Sequence, residues 1–158
     1  VRCMPNTPSL VQTGAAGLFA NGQVSDDQKQ LTSDILNAVG TSCWLQTEAE
    51  IDAVTAVSGS GPAYYFLIME IMQEIGEELG LSPEVSRQLT LQTALGAAKM
   101  AVSSDVDAAE LRRRVSSPGG TTERAIEAFE AGNLKTLFRE AMNSAVKRAA
   151  EMADELAN

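Results

Sequence analysis

Residues 58–72 read Ser58-Gly59-Ser60-Gly61-Pro62-Ala63-Tyr64-Tyr65-Phe66-Leu67-Ile68-Met69-Glu70-Ile71-Met72, and this stretch decides the fold. Its opening has the G-x-G spacing of a dinucleotide-binding loop but lacks the mechanism. Tyr64 stands where the third glycine belongs, Pro62 removes an amide donor where phosphate would be cradled, and the preceding segment is capped like a helix. Gly59 and Gly61 instead read as a tight turn between helices, one that also borders a ligand site if a site lies there. Pro62 suits the first turn of the next helix, which runs to Leu79 and stops at Gly80. From Ala63 to Met72 that helix is apolar nearly all round, so it is expected to be central and buried, whereas Glu74, Glu77 and Glu78 bring its second half into water. The apolar run is broken by Glu70 and is about half the ~20 residues that a membrane span requires.

Upstream, the grammar changes. Val1–Met4 is a short apolar run, and Gly14, Gly17 and Gly22 surround Leu18, Phe19 and Ala20, which read as a strand. Ser25 and Gln28 form a capping box for a helix with Leu31, Ile35, Leu36 and Val39 on one face, and Gly40 is placed to be its left-handed C′ residue. Residues 42–46 read as a further strand. Strand, strand, helix, strand is too little to bury both faces of a sheet, so residues 1–47 resemble the tail end of an α/β domain.

Downstream, helices follow almost without interruption. Thr47 and Glu50 make a second capping box, ahead of Ile51 and Val54. Ser82 and Pro83 start a helix to about Ser103, rich in the small residues Thr93, Ala94, Gly96, Ala97, Ala98 and Ala101, which permit close approach of another helix. Asp107 and Glu110 cap a short helix through Val115, and Thr121 or Thr122 starts one that Gly132 closes. Asn133 caps the last helix, whose apolar stripe runs from Leu134 and Phe138 through Ala145 and Ala149 to Met152 and Leu156. The expected fold is therefore mainly α, an all-helical domain over 48–158 preceded by the α/β remnant.

Composition narrows the chemistry. A chain of 158 residues, 44% of them hydrophobic, buries roughly 70% of its unfolded surface and supports a core without metal or disulfide staples. It has no histidine, which removes Ser-His-Asp and Cys-His nucleophiles and histidine-containing metal sites. Cys3 and Cys43 have no CxxC or histidine companions, so they read as inert small hydrophobes in a reducing compartment, and no metal site is expected. A net charge of -9, with Arg112, Arg113 and Arg114 as the single basic cluster, excludes a nucleic-acid groove, and no apolar leader or span points to a membrane, so a soluble cytoplasmic protein is expected.

The richest loop is Ser116-Ser117-Pro118-Gly119-Gly120-Thr121-Thr122-Glu123. Two glycines allow a turn without a Cβ penalty and a helix starts at once, so open amides and the positive end of a helix dipole face one space. The loop is either a plain helix cap or a receptor for a small carboxylate or phosphate. A cap needs one hydroxyl and four lie within the loop, which favours the receptor. Met4-Pro5-Asn6-Thr7-Pro8 is a stiff turn at a strand exit that lets Asn6 present its amide outward.

Taken in order, Met4–Pro8, Ala53–Tyr64, Leu95–Met100 and Leu111–Thr122 resemble pyrroline-5-carboxylate reductase over the whole chain, with Val115–Thr122 the strongest signature. The resemblance implies a Rossmann domain for NADPH or NADH, of which 1–47 is the C-terminal remnant. It also implies a helical domain, like the C-terminal domain of 6-phosphogluconate dehydrogenase, that forms a homodimer and in some members decamers built from dimers. The implied activity is reduction of 1-pyrroline-5-carboxylate to L-proline, the last step of proline biosynthesis. Ser117, Gly119, Gly120, Thr121 and Thr122 are implied to hold the substrate, with Thr122 reaching its ring nitrogen as the catalytic residue. Met4, Pro5 and Asn6 lie near the nicotinamide, and Gly59, Ser60, Gly61 and Pro62 border the cleft. The family's glycine-rich dinucleotide loop is expected ahead of Val1, so these residues alone are expected to bind dinucleotide very weakly and to turn nothing over. Two other classes remain: a helical oligomerisation module without activity, and a reductase for a different acid using Lys99.

Overall fold

Arg2–Met4 forms strand β1 at the edge of a three-stranded sheet ordered β1-β2-β3. It runs antiparallel to β2, Gly14–Phe19, with Cys3 opposite Leu18 and Met4 opposite Gly17. β2 runs parallel to β3, Gly40–Trp44, with Gly17 opposite Cys43 and Leu18 opposite Trp44. A parallel pair needs a crossover, and helix α1, Asp26–Asn37, supplies it. The computed structural model describes residues 1–157; the side chains of 154, 156 and 157 are outside that description, as is the expected stripe position Leu156. Two compact units result, Val1–Tyr65 with Arg139–Asn158, and Phe66–Phe138.

In the first unit the central strand is buried through small residues. A Cβ on Gly17 would lie 2.8 Å from a Val54 methyl, so glycine there lets helix α2, Glu50–Val54, sit against the sheet. Leu18 is 0% exposed and, with Ala16, Ile51 and Ala56, makes the apolar core. The capping box of α1 forms in both directions: Ser25 Oγ accepts the Gln28 amide at 3.2 Å and Gln28 Oε1 accepts the Ser25 amide at 2.9 Å. Trp44 Nε1 donates to Ser33 Oγ at 2.9 Å, tying β3 to α1. Along the expected stripe Leu36 and Val39 are half-buried while Leu31 and Ile35 are exposed.

Four local expectations are corrected here. Gly40 is not a left-handed cap; Ala38 is the C-cap, and Gly40 (φ 158°) opens β3 because a side chain would strike the Gly14 backbone. The Thr47 box forms by half: the Glu50 carboxylate accepts the amides of Gln46 and Thr47, but the N-cap is Ala49. The turn at Gly59 is not a break between helices. After α2 the chain tightens into a π-helical turn over Thr55–Gly59, closed by the Ser60 amide on the Thr55 carbonyl at 2.8 Å, and helix α3, Gly61–Glu78, follows at once. Finally, Cys3 and Cys43 are exposed rather than buried, although surrounding protein pushes the Cys3 thiol pKa up and so disfavours the thiolate.

The second unit is built from helix pairs. Ser82 caps α4, Pro83–Val102, accepting the Val85 amide, and Asp107 caps α5, Ala108–Arg114, accepting the Glu110 amide. Helix α6, Thr121–Ala131, is closed by Gly132 as its C-cap, as expected, in backbone that is not left-handed (φ -74°); the left-handed residue is Asn133 (φ 56°), after which α7, Leu134–Ala157, begins. Gly76 lies directly under Ser86, whose Oγ donates to the Gln73 carbonyl at 2.8 Å, so α3 and α4 approach through Gly76, Ser86 and Thr90 rather than through the small residues 93–101.

Apolar burial is where expectation and structure differ most. The first half of α3 is not buried within one chain: Tyr65, Phe66 and Leu67 are 66%, 63% and 55% exposed, and Ile71, Met72 and Ile75 follow them. The buried side chains of the second unit are the polar Ser86 and Thr90. The chain leaves 11531 Å² accessible, half as much again as the roughly 7600 Å² of a folded monomer of its mass. Leu18, in the small core of the first unit, is closed off on every side, and Leu18→Ala is expected to lower the stability of the protein by about 2–5 kcal/mol in urea unfolding.

Candidate functional site

The loop after α5 takes its shape from Pro118 and Gly119. The Gly120 amide donates to the Ser117 carbonyl at 2.9 Å, Pro118 sits at the second position and Gly119 (φ 71°) at the third, the pattern of a type II turn. A side chain is disfavoured at Gly119 by its left-handed backbone, and at Gly120 because a Cβ would lie 2.9 Å from the Ser117 oxygen. The Glu123 carboxylate reaches back to accept the Gly119 amide at 2.7 Å, a contact that sequence reading missed although Glu123 stands at the position of a capping-box glutamate.

The other half of that box is absent, because the N-cap is Gly120 and has no side chain. The first amides of α6, at Thr121 and Thr122, have no intrahelical acceptor, as at the start of any helix, and the first turn receives no hydrogen bond from an N-cap side chain; these N–H groups are the ones the macrodipole makes most attractive to an anion. Of the four hydroxyls counted in the sequence, Ser116 Oγ is engaged, donating to the Arg112 carbonyl at 2.7 Å. Those of Ser117, Thr121 and Thr122 belong to exposed residues and make no hydrogen bond among the described residues. The loop thus offers two open amides and three open hydroxyls to one small acceptor-rich ligand.

The neighbouring groove is of a different kind. It encloses about 560 Å³ between α5 and α6 and is lined by Asp107, Glu110, Arg112, Glu123, Glu127 and Glu130, among others. Glu110 pairs with Arg113 and Arg114, and Arg112 with Glu130 at 3.8 Å, so the arginine triplet forms surface ion pairs as a solvated face. Its excess of carboxylates repels another carboxylate. The two ends of the loop, Ser116 and Glu123, line it, but none of Ser117, Gly119, Gly120, Thr121 and Thr122 does, so the candidate ligand-binding residues stand outside this groove.

The other candidate residues lie in the first unit, where the structure brings Met4, Asn6 and Gly59 together. Asn6 does not present its amide outward as expected: Oδ1 accepts the Ala15 amide at 2.9 Å and Nδ2 donates to the Ser58 carbonyl at 3.1 Å. A Cβ on Gly59 would be 2.6 Å from Met4 Cε, so the absence of a side chain there lets the Met4 thioether pack on the π turn. Pro5 is exposed; Ser60 and Pro62 are half-buried and Gly61 is buried at the start of α3. A second, apolar groove of about 520 Å³, lined by Ala15, Gly17, Cys43, Leu45, Val54 and Val57 among others, includes none of Met4, Asn6 or 59–62. Among the described residues no cluster of three or more His, Cys, Asp or Glu is placed to hold a metal, and no helix is long and apolar enough to cross a membrane.

Known proteins resemble this chain along its whole length. Residues 48–152 match the family described as pyrroline-5-carboxylate reductase dimerisation. A pyrroline-5-carboxylate reductase of Pseudomonas aeruginosa is 60% identical over 156 residues, which cover 99% of this chain and 57% of that relative. The solved structure of a pyrroline-5-carboxylate reductase from Coxiella burnetii superposes with a TM-score of 0.93 at 54% identity, covering 95% of this chain and 56% of that one. That of the Plasmodium falciparum pyrroline carboxylate reductase, solved with NADP bound, does so with 0.86 at 35% identity, covering 95% and 61%. The chain thus spans a little over half the length of these relatives, and helices α2 to α6, with α7 as far as residue 152, fall within the region matching the family. On that match the chain belongs to the pyrroline-5-carboxylate reductase dimerisation family.

Proposed function

We propose that this chain serves the NAD(P)H-dependent reduction of 1-pyrroline-5-carboxylate to L-proline, supplying the substrate-carboxylate loop and the surface through which two copies associate. The observation that carries this reading is the type II turn at Ser117–Gly120 opening onto an uncapped helix, with the Thr121 and Thr122 amides and three hydroxyls without protein partners. In the proposed complex the substrate carboxylate lies on those amides and on Ser117, with Gly119 and Gly120 shaping the bed. A carboxylate there gains both hydrogen bonds and the field of α6. The Thr122 hydroxyl then faces the ring nitrogen and orients the C=N bond. The electrophile is a protonated imine, so the task is positioning and electrostatic complementarity, and a chain without histidine is chemically suited to it.

NADPH or NADH supplies the hydride when bound. The residues at the exit of β1 suit its nicotinamide end: Met4 is half-buried and Pro5 exposed, an apolar corner against which a flat ring packs. The 158 residues contain no strand followed by G-x-G-x-x-G and a helix, so the phosphates find no cradle within this sequence. We place the division between the cofactor-domain remnant and the helical domain at 47/48, supported by the family match beginning at residue 48. Two exposed free thiols support a reducing, cytoplasmic setting.

The proposed partner is a second copy. Exposed Phe66, Leu67, Ile71 and Met72 on α3 form an apolar surface of the sort that marks an interface, on a region matching a dimerisation family. Assembly of dimers into a decamer follows from the family resemblance alone. Lys99 is exposed in the last turn of α4, and its carbonyl, not its ammonium, has a structural partner in the Ser103 amide, so nothing builds an acid/base site around it.

Two measurements on the intact enzyme test this reading. Thr122→Ala removes the hydroxyl facing the ring nitrogen and should lower kcat by roughly tenfold or more, the scale of one lost hydrogen bond made in the transition state; unchanged kcat and KM would remove Thr122 from the site. Gly119→Ala forces a Cβ into left-handed backbone and should lower stability in urea unfolding by about 1–2 kcal/mol while raising KM for the substrate.

A further inference from the structure

In a continuing α-helix the carbonyl of Ser58 would accept the amide of residue 62. That residue is Pro62, which has no N–H. The π spacing offers Ala63 instead, but its amide donates to the Ser60 carbonyl at 3.0 Å. Both helical donors are thus lost to a carbonyl on a half-buried residue, and such a group needs a partner from elsewhere. Asn6 Nδ2 is that partner, at 3.1 Å and 52 residues distant in sequence.

The second half of the same amide meets a second vacancy. The β1–β2 ladder ends at Met4 opposite Gly17, so Ala15 lies beyond the last paired residue, and Asn6 Oδ1 accepts its amide at 2.9 Å. One side chain therefore joins the exit of β1, the start of β2 and the π turn, while Met4 packs on Gly59 beside it. Asparagine is suited to this because it carries one donor and one acceptor on the same short, planar group.

We propose that Asn6 is a positioning residue rather than a ligand of the dinucleotide: it locks the Thr55–Gly59 π turn, and with it Gly59–Pro62, against the Met4-Pro5 corner, in place of the hydrogen bond that Pro62 cannot make. Its relevance to turnover rests on the proposed function, in which those segments border the cleft; the clamp itself does not.

The test is a double-mutant cycle in the intact enzyme with Asn6→Ala, Pro62→Ala and the pair, read by urea unfolding and by steady-state kinetics. Asn6→Ala should raise the unfolding equilibrium constant by about tenfold or more, and by several-fold less in the Pro62→Ala background, where residue 62 has an amide to give Ser58 and the remaining cost is the lost acceptor of the Ala15 amide. If Asn6→Ala does not fold, the pair must fold. Equal costs in both backgrounds, or a pair that stays unfolded, overturn the clamp. Asn6→Asp keeps the acceptor but sets an oxygen against the Ser58 carbonyl, so it should not rescue, and rescue would overturn the role of Nδ2. In kinetics, kcat should fall with NADPH affinity within about twofold of wild type; a tenfold loss of NADPH affinity with kcat unchanged would make Asn6 a ligand instead. An enzyme with no pyrroline-5-carboxylate reductase activity before mutation would defeat the functional reading, and the unfolding cycle would still judge the clamp.

Discussion

An apolar helix has to be covered, and in this chain the covering is not intramolecular. The run from Ala63 to Met72 is apolar on nearly every side, yet Phe66 and Leu67 are more than half exposed. The side chains buried most deeply in the Phe66–Phe138 unit are a serine and a threonine. At about 25 cal/mol per Å², leaving several large side chains in water forfeits a stabilisation comparable to that of a whole small domain. A second copy that covers this face would make folding of the helical region and association one event, which is the physical content of the dimer proposed for it. The first unit is different in kind, since Leu18, Ile51 and Ala56 give it a core of its own.

What was legible in the sequence was mostly local. An N-cap bond joins residues three apart, so the caps at Ser25, Ser82 and Asp107 stood in the sequence as they stand in the structure, the first as a full capping box with Gln28. Pro118-Gly119 likewise fixes its turn from within. The misreadings came where distant partners decide. Gly40 is a glycine because Gly14 lies against it across the sheet, not because a helix ends there. Asn6 turns inward because Pro62, far along the chain, leaves the Ser58 carbonyl without a donor. The apolar stripe of α1 divides, with Leu31 and Ile35 exposed and Leu36 half-buried, which periodicity within the helix does not reveal. Burial of α3 was misjudged for a related reason: periodicity states that a face is apolar, not which chain covers it.

The candidate loop shows how one residue breaks a local rule. A standard capping box satisfies two of the four free amides at the start of a helix. Here the glutamate half is present in Glu123 and the hydroxyl half is missing because Gly120 is the N-cap, so the helix start is braced on one side and open on the other. The Gly119 amide is taken by an internal carboxylate, and the Thr121 and Thr122 amides have no side-chain partner. Two parts of the chain thus use one device, a backbone group deprived of its regular partner. In the π turn a side chain fills the vacancy, and at α6 the vacancy is proposed to receive the substrate.

The claim on which most of this account depends is that the exposed face of α3 is covered by a second copy, and the dependence of stability on protein concentration tests it most directly. For a dimer whose folding and association are coupled, a hundredfold rise in concentration adds about 2.7 kcal/mol to apparent stability. The urea midpoint of the intact enzyme should therefore move upward with concentration over that range, with one coincident transition by fluorescence and circular dichroism. A midpoint that does not change with concentration, together with a monomer in sedimentation at the same concentrations, would contradict it.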